Sequence, residues 1–245
     1  FTLSSCSNIF SQKKVKISGK RISALVLENS IDVDPSIKSP EVKLPKPYIN
    51  KNWSQDGGSF NNAMNHLSIA ENPNLVWRVR VGKNSDRNIR LVASPIVHNN
   101  NVYVLDGQSN LTSLNLLDGK KIWKINLTPK GEEINVIGGG LAATESVIFI
   151  TTGYGDVYAI NSNDGKIIWN KKLRVPLRGA PTVAGEKIFF LSVDNKVFAL
   201  DINSGSSIWM NGTVAESISI LGGGSPAYFD GIVVVPYSSG DLVAL

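Results

Sequence analysis

The chain has 245 residues, of which 42% are hydrophobic and 18% charged, values typical of a globular protein of one or two domains. No run of eighteen apolar residues occurs, so the sequence predicts no membrane-spanning helix. The net charge of +5 is modest, and Cys6 is the only cysteine, which excludes an intrachain disulfide.

The first residues resemble the end of a bacterial lipoprotein signal peptide. Cys6 follows one aliphatic and two small residues, in the order LSSC. The resemblance implies that residues 1–5 are a signal remnant and that Cys6 carries the lipid anchor, whose stable insertion needs more than one acyl chain. Ser7, where an aspartate would signal retention, is similar to the outer-membrane sorting pattern. An incidental cysteine is the alternative.

Residues 6–50 have a different composition from the rest of the chain. They are rich in lysine, serine and proline, which predicts a mostly extended, lipid-anchored tether. A basic cluster could bind nucleic acid or anionic lipid, but it lacks the interleaved aromatic residues of single-strand binders, and we interpret it as a solvated tail without a nucleic-acid partner. It comprises Lys13, Lys14, Lys16, Lys20 and Arg21.

Tryptophan recurs at a nearly constant spacing along the remainder of the chain. The intervals between successive members are 46, 46 and 40 residues, and the last three close similar phrases, NLLDGKKIW, NSNDGKIIW and DINSGSSIW. A repeat of roughly 40–50 residues built from short strands is typical of a β-propeller blade. The four residues are Trp77, Trp123, Trp169 and Trp209.

The residues between the tryptophans predict strands and tight turns. In the second repeat, apolar runs at 147–150 and 157–160 flank a glycine-rich turn, and an Asp-Gly turn precedes the strand that contains Trp169. A small residue followed by proline precedes most repeats, which suits the start of a strand. The turn glycines are Gly119, Gly165 and Gly205.

The predicted fold is all-β: a propeller of four-stranded blades over residues 51–245. Three full blades and part of a fourth are expected here, from a longer protein that closes an eight-bladed ring. Residues 75–79 resemble an outer strand that would join the last blade, and a further outer-strand tryptophan is due beyond Leu245. We interpret the repeated tryptophans and glycines as packing residues between blades.

The repeat resembles the quinoprotein-type, PQQ-like propeller repeat over residues 75–245. Within that superfamily, the chain resembles the BamB family of outer-membrane β-barrel assembly lipoproteins. Three segments carry the resemblance: the lipoprotein motif LSSC that ends at Cys6, residues 53–67 and residues 217–226. The resemblance implies a scaffold without catalysis or cofactor, anchored at the periplasmic face of the outer membrane. Its implied partners are a POTRA domain of the barrel-insertion subunit and unfolded outer-membrane proteins.

A loop near the C-terminal end carries the partner contacts that the resemblance implies. Family members have an apolar-x-apolar-Arg-Gly pattern, which places Ile218 and Ile220 as apolar contacts and Leu221 where many members have arginine. The missing arginine removes a charge-assisted contact. Core packing at the start of a blade is the alternative, because residues 134–140 repeat the same pattern one blade earlier than the third.

Two other functions remain open on the sequence alone. A quinone-dependent dehydrogenase would need a catalytic carboxylate, a Ca²⁺ site and, in many members, adjacent cysteines; a generic periplasmic scaffold or sensor would need none of these. The two histidines lie on polar segments without a nucleophile beside them, and the four hairpin aspartates suit turn chemistry. These aspartates are Asp106, Asp156, Asp194 and Asp241. We therefore predict that the protein has no catalytic residue, cofactor or metal.

Overall fold

Strands and the tight turns between them account for the regular structure of the chain. The computed structural model describes residues 43–82, 92–132, 137–213 and 224–245, of which Leu44–Leu245 belong to one compact unit. Across these ranges, no helix has the length and apolar character needed to cross a membrane.

In the described ranges, the strands form four antiparallel sheets, each built from consecutive strands in chain order. The first sheet is β1 (Ile96–His98), β2 (Asn101–Leu105), β3 (Asn110–Asn115) and β4 (Lys121–Asn126). The second is β5 (Gly139–Thr144), β6 (Val147–Thr152), β7 (Asp156–Asn161) and β8 (Ile167–Lys172). The third is β9 (Thr182–Ala184), β10 (Lys187–Leu191), β11 (Lys196–Asp201) and β12 (Ser207–Gly212). The fourth is β13 (Ala227–Phe229), β14 (Ile232–Pro236) and β15 (Leu242–Ala244).

Equivalent positions in the three full sheets repeat the same irregularity. The pairing of the third and fourth strands shifts register after Ser113, Ala159 and Ala199. A bulge at this place increases the local twist of the sheet. The repeat of the sequence is therefore a repeat of backbone geometry as well.

The hydrophobic core lies between the sheets. Alternate residues of a strand face opposite sides, so Ile148 packs toward the first sheet while Phe149 packs toward the third. In the same way, Phe190 joins the cluster shared with the second sheet, and Phe189 joins the cluster shared with the fourth. Each middle sheet is thus covered on both faces, as its continuous apolar runs predict.

The four sheets are blades of a propeller. Their first strands, β1, β5, β9 and β13, contact one another in sequence and form the inner side, and β4, β8 and β12 form the outer edges. The prediction of an all-β propeller with four-stranded blades is confirmed, with three full blades and three strands of a fourth. Proline stands directly before β1, β9 and β13, at Pro95, Pro181 and Pro226.

Candidate functional site

The repeated tryptophans sit at the junctions between blades. The indole N–H of Trp123 donates to the carbonyl oxygen of Ser162 in the next blade at 2.9 Å, and that of Trp169 donates to Ile202 at 3.0 Å. Trp77, on a described segment without a strand, makes the same bond to Leu116 at 2.9 Å. Each indole therefore bonds to the turn that follows the third strand of the next blade, from an outer strand in the case of Trp123 and Trp169.

Glycine is required where each indole meets that turn. Gly165 has a φ of +72°, and a Cβ atom built on it would lie 2.8 Å from Cε3 of Trp123. Gly119 beneath Trp77 and Gly205 beneath Trp169 have the same arrangement, at 2.7 and 2.8 Å. The positive φ and the close ring both disfavour any side chain at these positions.

Trp209 is the fourth member of the series and borders a cavity of about 320 Å³. Its ring lies 5.8 Å from that of Phe189, in the tilted arrangement that Trp169 makes with Phe149 at 6.0 Å. The cavity lies between β12 and the fourth sheet, and Met210 and Tyr228 also line it. The spacing of the tryptophans did not predict this cavity.

The hairpin aspartates bond to their own turns. Oδ1 of Asp106 accepts the backbone N–H groups of Gln108 and Asn110, both at 2.9 Å. Oδ2 of Asp241 accepts the hydroxyl of Ser239 at 2.7 Å. Within the ranges given above, no three His, Cys, Asp or Glu side chains come together as a group that could hold a metal ion.

The other two hairpin aspartates differ in their protonation behaviour. Burial raises the pKa of Asp156, although the amide of Asn170 partly opposes this. Burial also disfavours the charged form of Asp194, but hydrogen bonds from Lys196 and Ser192 outweigh it and lower the pKa. The ammonium of Lys196 lies 2.7 Å from Oδ2 of Asp194. Both environments are those of a hairpin turn.

His98 corrects one expectation from the sequence. It is the last residue of β1 and is buried, and its Nδ1 lies 2.8 Å from Oγ of Ser54, 44 residues away in the chain. Its Nε2 lies 3.2 Å from the carbonyl oxygen of Glu145 in the second blade. From the sequence, this histidine was expected on a polar segment without a serine beside it. Ser54 could not be predicted as its neighbour, because residues so far apart along the chain leave no local pattern.

The Ser54–His98 pair resembles the first two members of a nucleophilic site, but its surroundings differ from one. The group on the far side of the imidazole is the backbone carbonyl of Glu145, which also accepts the side-chain amide of Asn99 at 2.8 Å. The pair therefore links three segments of chain, and its bonds suit a structural role.

A buried arginine borders a small cavity where three blades meet. Arg178 is 4% exposed, its Nη2 donates to the carbonyl oxygen of Val193 at 3.0 Å, and burial lowers its pKa. The cavity, of about 30 Å³, is also lined by Asp56, Ser94 and Gly139. That space is of the order of one or two water molecules.

The predicted partner-contact and lipid-attachment residues lie outside the described ranges. These are Ile218, Ile220 and Leu221, and Cys6. In chain order, Ile218, Ile220 and Leu221 fall between the outer strand β12 and the inner strand β13. On the near side of this connection, the N–H of Thr213 donates to the carbonyl of Asn195 at 3.1 Å, and the connection is longer than the one between β8 and β9.

The similar pattern at residues 134–140 clarifies part of the loop motif. A Cβ atom on Gly138 would lie 2.3 Å from the carbonyl oxygen of Leu177, and one on Gly139 would lie 2.2 Å from that of Thr151. Close backbone approach requires glycine at both positions, from the segment before β9 at Gly138 and from the paired strand β6 of the same blade at Gly139. In the later pattern, a Cβ atom on Gly224 would lie 2.9 Å from Cγ of Pro236, a side-chain contact. Close contacts therefore account for Gly138 and Gly139 of the earlier pattern and for Gly224 of the later one, while Gly222, Gly223 and the aliphatic residues of the loop lie outside the described ranges.

Exposed aliphatic residues on the outer strands form a feature that the sequence analysis did not single out. Each of them directly precedes a repeated tryptophan: Ile122, Ile168 and Ile208, which are 47%, 52% and 46% exposed. They lie on β4, β8 and β12, the last strands of their sheets. Such edges combine apolar side chains with backbone groups that can pair with another strand.

Comparison with known proteins identifies the repeat. A family model described as outer membrane protein assembly factor BamB matches residues 59–138 and 130–245. An uncharacterized protein of Rickettsia prowazekii (strain Madrid E) is 27% identical over 157 residues, which are 64% of this chain and 38% of that protein. The outer membrane protein assembly factor BamB of Nitrosomonas eutropha is 23% identical over 172 residues, 70% of this chain and 39% of its own. The matched part of the chain thus spans well under half the length of both relatives.

Among solved structures, a quinohemoprotein alcohol dehydrogenase, ADHIIG from Pseudomonas putida HK5, superposes with a TM-score of 0.60. The sequences are 20% identical, and the match covers 76% of this chain and 34% of that chain. A likeness at this identity concerns the propeller fold alone, since one fold serves many activities.

Proposed function

Because the chain belongs to the family of outer membrane protein assembly factor BamB, we propose that it is a non-catalytic scaffold of the machinery that assembles β-barrel proteins in the outer membrane. The observation that carries this proposal is the family match, which continues through the three full blades and into the fourth. The scaffold works by binding, through the connections between blades.

The proposed partner surface is the connection between β12 and β13. Ile218 and Ile220 supply the apolar contacts for a POTRA domain of the barrel-insertion subunit, and Leu221 replaces the arginine of many family members. What supports this position is that both flanks are fixed, Thr213 by Asn195 and Ser225 by Asn62. Flanks that are already held by hydrogen bonds lose less conformational freedom on binding, which favours affinity.

We expect Ile218→Asp and Ile220→Asp each to weaken binding of the full-length protein to the barrel-insertion subunit by at least tenfold, because a carboxylate would be desolvated at an apolar contact. Pull-down and titration with the isolated POTRA domains measure this. Leu117→Asp is the matched control, since Leu117 is 73% exposed on a turn of the first blade. Equal binding by both loop variants and the control would refute the assignment of the loop.

The proposed attachment to the membrane is a lipid on Cys6. Cys6→Ala should release the protein into the soluble periplasmic fraction and abolish incorporation of a labelled fatty acid, because the thiol is the acylated group. Fractionation and metabolic labelling of the full-length protein measure the two effects. Continued sedimentation of the variant with outer membranes, in the absence of label, would assign the attachment to protein contacts instead.

Unfolded barrel precursors are the proposed second partner, and the outer strands β4, β8 and β12 are where they would bind. A precursor strand could add to such an edge by backbone hydrogen bonds while Ile122, Ile168 or Ile208 covers its apolar face. Photo-crosslinkers placed at these three positions should capture a nascent barrel protein. Capture only from turn positions such as Leu117 would place the clients elsewhere.

The non-catalytic part of the proposal also has a direct test. What supports it is that the carboxylates of Asp106 and Asp241 bond to their own turns. The full-length protein, incubated with pyrroloquinoline quinone and Ca²⁺, should show neither retained quinone absorbance nor dye-linked oxidation of alcohols or sugars. Stoichiometric quinone with measurable turnover would favour the dehydrogenase alternative.

A further inference from the structure

The N-terminal segment 53–62, here called the strap, runs along the inner side of the propeller. Trp53 exchanges two backbone hydrogen bonds with Val97 of β1, at 2.7 and 2.9 Å. The next residue reaches the second blade, because the carbonyl of Ser54 accepts the N–H of Ala143 in β5 at 2.7 Å. Two successive residues of the strap therefore bond to two different blades.

The third blade is held by a side chain. Gln55 is 6% exposed, its Nε2 donates to the carbonyl oxygen of Val183 in β9, and its Oε1 accepts the N–H of the same residue, both at 2.8 Å. The amide of Gln55 thus pairs with β9 as a neighbouring strand would. Since all of these groups are buried, removing the amide would leave two backbone groups without partners.

The far end of the strap meets the fourth blade. The carbonyl of Phe60 accepts the N–H of Tyr228 in β13 at 2.7 Å, and the two rings pack edge to face with centroids 6.2 Å apart. Ser225 donates its hydroxyl to Asp56 at 3.2 Å, and its carbonyl accepts the amide of Asn62 at 3.3 Å. The strap thereby also holds the residue that follows the proposed partner loop.

We propose that the strap is a single cooperative element that fixes the angle between the four blades. The blades meet mainly through apolar clusters, with one indole hydrogen bond from the outer strand at each of the first two junctions. Apolar contact is non-directional, so it tolerates small rotations of one sheet against the next. The hydrogen bonds of the strap are directional and cross three successive blade junctions. If one blade rotated, the hydrogen bonds between the strap and the neighbouring blades would break as well. The loss of hydrogen bonds at one blade is therefore transmitted to the others.

Hydrogen exchange of the full-length protein tests this cooperativity. In Gln55→Ala, Val183 loses its acceptor directly, so the informative amides are those of Ala143 and Tyr228, which bond to other residues of the strap. We expect both to exchange at least tenfold faster than in the unaltered protein. The amide of Tyr158, in the middle strand β7, should keep its protection, and the midpoint of thermal unfolding should fall by several degrees.

Asn61→Ala is the matched control, because the side chain of Asn61 accepts bonds only from Ser59 and Ala63 among the described residues. It should leave exchange at Ala143 and Tyr228 unchanged. Asn62→Ala is a milder variant in case Gln55→Ala does not fold, and it should accelerate the same two amides by a smaller factor. Faster exchange confined to Val183 in Gln55→Ala, or to residues 225–228 in Asn62→Ala, would overturn the proposal.

Discussion

Gly165→Ala is expected to destabilise the protein by about 2–5 kcal/mol. The substitution places an L-residue at a φ of +72°, which costs about 1–2 kcal/mol. It also brings a methyl group to 2.8 Å from the indole of Trp123, and overpacking of this kind costs about 1–3 kcal/mol. The free energy of unfolding, from urea titration followed by tryptophan fluorescence, measures the sum.

Gly185→Ala separates the two contributions. Gly185 has a φ of +58°, but no atom lies within 4 Å of the position its Cβ would take. Only the backbone cost of about 1–2 kcal/mol is expected there. If the two variants lose the same stability, the close approach of Trp123 contributes nothing and the packing argument fails for all three turn glycines.

The repeat made the fold predictable from the sequence. Each blade uses the same residue for the same contact, so Trp123 over Gly165 and Trp169 over Gly205 leave a spacing that can be seen without coordinates. Proline before β1, β9 and β13 marks strand starts for an equally local reason, the missing N–H. Local contacts that recur in each repeat can be predicted from the sequence, and they defined the blades.

The strap and the buried arginine were not predictable in the same way. Gln55 bonds to Val183 across 128 residues, and each of its neighbours bonds to a different blade, so residues 53–62 have no period of their own. Ser54 and His98 meet for the same reason. The positions of Ile218, Ile220, Leu221 and Cys6 rest on resemblance alone and stay predictions, because they lie outside the described residues.

Trp169→Ala is expected to lower the free energy of unfolding by about 3–5 kcal/mol, the usual cost of truncating a large aromatic residue that packs in a core. Three contacts are lost at once: the face over Gly205, the ring 6.0 Å from Phe149, and the bond to Ile202. Trp169→Phe keeps a ring and loses the N–H donor, so it should cost about 1–3 kcal/mol. Urea titration of the three proteins measures both values.

The same pair of substitutions at Trp123 tests whether blades are energetically equivalent. Trp123 donates to Ser162 at 2.9 Å and lies 5.9 Å from Tyr103, close to the values at Trp169. Because stability in a repeat protein is approximately a sum of repeat and neighbour contributions, Trp123→Ala should cost the same as Trp169→Ala within about 1 kcal/mol. A much larger loss of unfolding free energy at one junction would show that the two junctions differ in strength. The hydrogen bonds of the strap, which crosses both junctions, would then be needed most at the weaker one.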